Sequence, residues 1–266
     1  MIDKSTVCVL LPFFGSIGDL KITLNSLHNS KFKNFHLYVI DDNHKPKLTN
    51  EFFDKYDFNT YLILNKKNLG IVKSLNKALK VILNNPCYKY VVRIDSGDAV
   101  TEDRITLQLD FMNKNSDYGA VGSFLEYTSK DGKFINTKKF PINFKGIKKH
   151  MYFNSSIAHP ACIIRTSVFK DIGLYNNYKH AEDFELFTRM IKKYKIYNIP
   201  MPLTKYMITT NQISHKYFMR QKLSLLFVKI KYFDFSFMSF LGFIYSILII
   251  FVPKFLVRFL NKYLLK

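Results

Sequence analysis

Apolar residues along the first half of this chain alternate between two rhythms. Short continuous runs, Val7 to Leu11, Phe35 to Ile40, Thr60 to Leu64 and Tyr90 to Ile94, read as buried strands. Between them, Asp19 to His28 and Gly70 to Leu83 place apolar residues three and four apart, the spacing of a helix with one buried face. A helix from Glu102 to Asn113 and a strand from Ala120 to Phe124 continue the series. Such alternation predicts βαβ units, and therefore an α/β fold with a mostly parallel central sheet flanked by helices. Beyond it the pattern loosens. Asp131-Gly132 between two short apolar stretches predicts a hairpin turn, and Phe144 to Phe153 a short helix. Cys162 to Arg165 reads as a strand, Glu182 to Tyr194 as a helix, and Lys195 to Ile199 and Leu203 to Met207 as two further strands.

The tail has a different character, which divides the chain into a catalytic domain over 1–215 and a basic, apolar helical tail over 216–266. Lys216 to Lys231 mixes basic and apolar residues, and Phe235 to Val252 is a run of 18 residues without a charge. As a helix that run would measure about 27 Å, close to the ~30 Å hydrocarbon core of a bilayer. Pro253 ends it, and Lys254 to Lys266 alternates Phe and Leu with Lys and Arg, an interfacial pattern. Three readings of 235–252 stay open: a transmembrane or re-entrant span, an amphipathic anchor lying on a surface, and a core or dimer helix. From Lys205 to Lys266 ten Lys or Arg stand against the single acid Asp234, which points to an anionic membrane surface as partner. The basic residues flank the run on both sides and fix no orientation.

Charge extends this picture to the whole chain. Lys and Arg outnumber Asp and Glu 40 to 20, for a net charge of +20, so nucleic acid, phospholipid or a sugar nucleotide would each be a suitable partner. A coding bias toward Lys, Asn, Ile and Phe would produce the same excess. The chain has no zinc-ligand spacing, no RRM-type aromatic strand and no basic helix with a recognisable turn, so nucleic acid is not expected. Cys8, Cys87 and Cys162 are far apart and odd in number, which suits a reducing compartment without disulfides. Residues 1–6 lead directly into the first strand and lack the order of an export signal.

Two acidic clusters carry the candidate chemistry. Asp95-Ser96-Gly97-Asp98 follows the strand ending at Ile94, at the carboxyl edge where open α/β sheets bind ligands. Glu182-Asp183 opens a helix, where a carboxylate either complements the helix dipole or serves as a catalytic group facing a cleft.

The order of these and other landmarks resembles the family 2 glycosyltransferases of the GT-A (Rossmann-like) fold, in the bacterial polysaccharide and lipopolysaccharide assembly branch. The resemblance runs from Val7 to Ser214: Val9-Leu10-Leu11-Pro12-Phe13-Phe14, Val39-Ile40-Asp41-Asp42-Asn43, Asn68-Leu69-Gly70 with Lys73 and Asn76, Arg93 to Asp98, Arg104 and Gln108, His159-Pro160, and Ala181 to Leu186. It implies a sugar moved from a nucleoside-diphosphate sugar, expected to be a UDP-sugar, to a hydroxyl of a glycan or lipid-linked glycan, with inversion. Asp183 would be the general base, with Glu182 beside it. Asp95 and Asp98 would meet the diphosphate through Mg²⁺ or Mn²⁺, hard cations that prefer carboxylate oxygens. Pro12, Phe14, Asp41, Asp42, Asn68, Gly70, Lys73 and Asp95 would bind the donor nucleotide, with Asp41 or Asp42 accepting the imide N–H of the base. Phe14 as core packing, Lys73 on a solvated helix face and Asn68-Leu69-Gly70 as a simple turn are the alternatives. His159 would either touch the acceptor or bond within its loop. The resemblance places the enzyme on the cytoplasmic face of a bacterial inner membrane.

Two departures from the family pattern stand out. The metal motif of the family reads Asp-x-Asp-Asp, and its third position is Gly97 here. The Arg or His that relatives carry between Tyr206 and Ser214 is missing, with His215 or Lys216 the nearest replacement. A sugar-nucleotide pyrophosphorylase, which uses a related nucleotide fold, would show a Gly-rich loop and a following Arg after the first strand. Phe13-Phe14-Gly15-Ser16-Ile17-Gly18 supplies neither.

Overall fold

The computed structural model describes residues 6–208 and 217–252. One mixed sheet forms its centre, in the order β3-β2-β1-β4-β8-β6-β9-β5, with β7 paired to β6. The strands β1 (Val7–Phe13), β2 (His36–Asp41), β3 (Asn59–Leu64) and β4 (Tyr90–Arg93) are parallel neighbours. Every residue of β1 and β2 is buried, as strands covered on both faces require. Along β1 the side chains alternate between two cores: Cys8 and Leu10 face one, Val7, Val9, Leu11 and Phe13 the other.

Helices cover both faces. On the second core lie α1 (Ile17–His28) through Leu20, Leu24 and Leu27, and α3 (Arg104–Lys114) through Ile105, Leu109 and Met112. On the first lie α2 (Ile71–Leu83) through Val72, Leu75, Leu79 and Ile82, and α6 (Glu182–Met190) through Phe184, Leu186, Phe187 and Met190. The short α4 (Phe144–Met151) adds Ile147 and Met151 to that core, and α5 (Thr166–Ile172) adds Val168 and Phe169.

The parallel character stops at β4. There β8 (Ile163–Arg165) pairs antiparallel, followed by β6 (Tyr118–Thr128), which is antiparallel to β8 and parallel to β9 (Lys195–Met207). The hairpin expected at Asp131-Gly132 joins β6 to β7 (Phe134–Lys138), with Gly132 at φ +79°. The two strands expected over 195–207 are one strand. Its partner register moves from Ser123↔Ile199 to Phe124↔Pro202, so Pro200 and Met201 bulge out of the ladder. Proline lacks the N–H that a ladder needs and is accommodated at such bulges. Beyond the bulge β9 curls back to pair with β5 (Ala99–Val100), which directly follows the first acidic cluster.

The tail forms two helices, α7 (Phe218–Lys231) and α8 (Phe237–Phe251). Val228 of α7 is fully buried in the first core, beside partly buried Leu225 and Tyr232, so the first tail helix is integral to the packing of the domain. Helix α8 has 15 residues, about 22 Å of rise. Among the described residues no helix is long and apolar enough to cross a membrane. Pro253 and the interfacial pattern over 254–266 lie outside the described residues, as do His215 and Lys216.

Candidate active site

Strand β4 lies beside β1, whereas the chain reaches it only after building β2 and β3 on the other side, so the strand order reverses between β1 and β4. The carboxyl ends of strands flanking such a reversal leave a crevice, because their following connections go to opposite faces. Phe13-Phe14 leaves β1 there, Asp95 to Asp98 leaves β4, and Asp41-Asp42 ends β2 next door.

Arg93, at the last position of β4, is buried at 2% exposure and organises the first cluster. Its guanidinium donates to an Asp95 carboxylate oxygen at 2.5 Å and to the Ile94 carbonyl. Asp95 itself faces solvent, with 40% of its side chain exposed. Gly97 sits at φ +99°, a left-handed backbone in which a side chain is strained, and a Cβ there would come 2.9 Å from the Met207 methyl. The loop path that this chain uses therefore disfavours a third carboxylate at position 97. Asp98 turns inward. One carboxylate oxygen accepts the Met207 N–H at 3.2 Å, and the other is buried without a hydrogen-bond partner among the described residues. Burial, reinforced by the Asp95 charge, holds the Asp98 carboxyl well above the usual carboxylate range. The Thr23 hydroxyl of α1 locks the turn, donating to the Asp98 carbonyl at 2.7 Å and accepting the Gly97 N–H at 3.0 Å.

The second cluster lies within electrostatic reach of Asp95 and Arg93. Asp183 and Glu182 form the first turn of α6, and an Asp183 oxygen accepts the Phe184 N–H at 2.7 Å. Burial raises the Asp183 carboxyl above its ordinary value, with Asp95 adding to the effect. Glu182 is pushed up to about 7 by burial and by Asp183 beside it, and its Oε2 has no hydrogen-bond partner among the described residues. Both carboxyls also feel Arg93, which acts in the opposite direction. The tertiary fold thus brings Asp95, Asp98, Glu182 and Asp183 into one electrostatic unit around a buried guanidinium.

His159 borders this unit from within. It is buried in a 3₁₀ turn, His159–Ala161, and its Nε2 shares a 2.6 Å hydrogen bond with the Tyr175 hydroxyl. Burial, with Arg93 nearby, lowers its proton affinity well below the ordinary value, so the imidazole is neutral. Of the two alternatives held for His159, bonding within the protein is the one its geometry displays, with a side chain in place of backbone.

The nucleotide-side residues are arranged in two ways. Phe14 is 64% exposed at the mouth of the crevice and is not core packing, whereas Pro12 is buried in β1. Asp41 and Asp42 are buried and bind backbone. Asp41 accepts the N–H groups of His44 at 2.6 Å and Leu48 at 3.2 Å, and Asp42 those of Leu69 at 2.7 Å and Gly70 at 2.9 Å. Asn65 adds a 2.8 Å bond to Asp42. The pair thereby fixes the loop after β2 and the start of α2, where Gly70 at φ +79° is the N-cap. Asn68 and Lys73 are exposed beside this start.

Several contributors escaped the reading of the sequence. Arg93 stood inside a quoted motif without a role; nothing in a single Arg beside an acidic run says it is buried. Thr23 and Tyr175 come from distant segments, and Tyr206, a landmark of the sequence, had no role in the site. Tyr206 lies near Asp98, Asp95 and Asp183, whose charges together with burial raise its hydroxyl.

For a divalent cation the donor set is limited. Among the described residues no group of three His, Cys, Asp or Glu could hold one. A cation bound chiefly by substrate oxygens and water needs only one or two carboxylates. Exposed Asp95, with the unpartnered buried oxygen of Asp98 behind it, fits that mode.

Known proteins agree with the fold. Residues 8–173 match the model of Glycosyl transferase family 2, and the chain belongs to that family. An uncharacterized glycosyltransferase of Methanocaldococcus jannaschii is 26% identical over 212 residues, covering 77% of this chain and 72% of its own length. A UDP-Gal:alpha-D-GlcNAc-diphosphoundecaprenol beta-1,3-galactosyltransferase of Escherichia coli is 30% identical over 127 residues, 47% of this chain and 44% of that protein. Among solved structures, Staphylococcus aureus TarS 1–349 with UDP-GlcNAc superposes with a TM-score of 0.67 at 17% identity, over 89% of this chain and 69% of that one. The mannosyltransferase PcManGT of Pyrobaculum calidifontis with GDP-Man and Mn²⁺ gives 0.65 at 13%, over 92% and 69%. The protein is a glycosyltransferase with a mixed α/β fold like theirs.

Proposed function

We propose that this glycosyltransferase moves a sugar from a UDP-sugar to a hydroxyl of a glycan or lipid-linked glycan, with inversion at the anomeric carbon. The observation that carries the reading is the pair Glu182-Asp183 at the start of α6, electrostatically coupled to Asp95 around Arg93. An exposed carboxylate, Asp95, would serve the donor side and a half-buried one, Asp183, the acceptor side.

In the proposed reaction the acceptor oxygen attacks the anomeric carbon while the bond to the diphosphate breaks. The nucleoside diphosphate leaves with the electron pair, and the acceptor's proton goes to Asp183. A carboxylate whose proton affinity is raised by burial is better matched to this task than one in water. Glu182, protonated below about pH 7, keeps a second negative charge away from Asp183. Asp95 and Asp98 would hold Mg²⁺ or Mn²⁺, which when bound would neutralise the diphosphate. Phe14 offers an exposed ring for the base, Asn68 and Lys73 are exposed at the start of α2 and available to the donor, and Asp41 and Asp42 act by shaping the loops. The buried His159–Tyr175 pair supports the acceptor side from behind. The E. coli relative, named for an undecaprenol-linked acceptor, and the apolar tail helices support a site of action on the cytoplasmic face of a bacterial inner membrane.

Calorimetric titration of UDP, dTDP and GDP with and without Mn²⁺ tests the reading. UDP should bind with metal dependence, more weakly in Asp95→Asn and unchanged in Asp183→Asn, while Asp183→Asn loses about 10²- to 10⁴-fold in transfer. If no nucleoside diphosphate binds the folded protein, the donor assignment is wrong.

A further inference from the structure

The surface that joins α4 to α8 combines two features that the transferase chemistry does not use. Ile147 and Met151 bury one side of α4, which turns Lys145, Lys148 and Lys149 outward together at positions three and four apart. None of the three forms an ion pair with another described residue. Their carbon stems, with Phe144, Tyr152 and Met238 of α8, line an open and almost wholly apolar recess of about 360 Å³. Asp234, in the turn between α7 and α8, accepts from the Tyr152 hydroxyl at 2.8 Å and from the Ser236 hydroxyl at 2.7 Å.

Directly beyond Met238 runs an exposed apolar stripe. On α8 it comprises Phe237, Phe240, Leu241, Ile244, Leu248 and Phe251, between 36% and 79% exposed. These residues recur every three or four positions along one face. Helix α7 shows a second stripe of the same kind, Met219, Leu223, Phe227 and Ile230, each at least 41% exposed. The opposite face of α8 is fixed to the domain: Gly242 lies so close to Tyr152 that a Cβ would come 2.2 Å from its carbonyl oxygen, and the Lys229 ammonium bridges the Phe153 carbonyl at 2.9 Å and the Ser246 hydroxyl at 2.6 Å. Lysines and stripe therefore keep a constant relation to one another.

We propose that Lys145, Lys148 and Lys149, around the recess between α4 and α8, bind the phosphates of anionic phospholipid headgroups, and that α8 lies in the plane of the bilayer surface with its stripe in the acyl region. Charge complementarity selects this occupant. A second copy of this chain, itself at +20, would bring more positive charge to a rim already made of lysines, whereas an anionic bilayer supplies phosphates and hydrocarbon at adjacent depths. The inference rests on the membrane part of the reading above and is independent of its chemistry. It places the catalytic domain, through α4, in direct contact with the lipid, in addition to the tail.

Flotation of the full chain with vesicles of phosphatidylcholine alone, and of phosphatidylcholine with phosphatidylglycerol, tests this. Wild type should bind the anionic vesicles more tightly, and less so as salt rises. The variant Lys145→Gln/Lys148→Gln/Lys149→Gln should lose about a hundredfold, roughly fivefold per lysine. An equal change of charge at exposed Lys80, Lys114 and Lys130 should cost far less. Phe237→Ser/Phe240→Ser should weaken binding to both vesicle types. Circular dichroism of the same preparations monitors folding, and UDP binding tests the transferase reading separately. Equal losses in the two lysine triples, no loss in the α4 triple, or self-association that follows the stripe while neither vesicle binds, would each overturn the proposal.

Discussion

Glu182 and Asp183 are adjacent in the chain, and their proximity governs how each holds a proton. Burial favours the neutral form of both, and the Asp183 charge keeps Glu182 protonated up to about pH 7. In an unfolded chain Glu182 would titrate near ~4.3. Its folded value is the higher one, so its contribution to stability is fully present below about pH 4 and is lost as pH rises through about 7. Glu182→Gln remains neutral throughout. Relative to wild type, the variant should therefore gain stability between pH 5 and pH 8, read as a shift of the urea midpoint in its favour; an unchanged difference would mean that Glu182 is not held protonated. The same residue scale explains why position 97 is glycine: the left-handed backbone of the turn that aims Asp98 inward strains any residue with a side chain.

At the scale of elements, the contact of α8 with the C-terminal end of α4 depends on one missing side chain. A methyl at position 242 would meet the Tyr152 backbone, which cannot swing aside as a flexible side chain would. Gly242→Ala should cost about 1–3 kcal/mol through overpacking, offset only slightly by the better helix propensity of alanine. The expected readout is a lower melting temperature and faster proteolysis in the turn at 232–236, with donor binding retained. Elements also show where pattern reading succeeds. The strands Val7–Phe13 and Tyr90–Arg93 were legible as continuous apolar runs because both their faces are buried, and helix Ile71–Leu83 because burial of one face imposes a period. Ala99–Val100 was not, since two residues carry no period; they are a strand only because β9 curls back to pair with them.

At the scale of the molecule, Glu185 joins three parts of the chain. This fully buried carboxylate accepts from the Arg189 guanidinium at 2.9 Å, from Asn176 at 2.7 Å and from the hydroxyl of Tyr232, just past α7, at 2.5 Å. Arg189 in turn donates to the Leu174 carbonyl at 2.7 Å. Removing one partner of such a group leaves buried charge uncompensated, so Glu185→Ala should destabilise the fold by about 3–5 kcal/mol. Thermal unfolding would register this directly, and a melting temperature unchanged from wild type would show that the network is dispensable. The network and Val228 together mean that the boundary drawn at 215 separates sequences of different composition, while the core continues across it into α7.

The sequence by itself determined the α/β character, the strand ends that carry acidic residues and the resemblance to glycosyltransferases, because periodicity and local motif spacing are properties of adjacent residues. Tertiary structure alone decided that Asp95 faces solvent while Asp98 turns inward, that Asp41 and Asp42 bind loop amides, and that Arg93 lies within electrostatic reach of two acidic clusters nearly ninety residues apart. It also decided that the apolar tail packs one face of a short helix on the domain and leaves the other exposed. Each of these depends on which surfaces meet once the sheet has formed. Hydrogen-bond partners and desolvation are set by that meeting, and a one-dimensional pattern does not contain it.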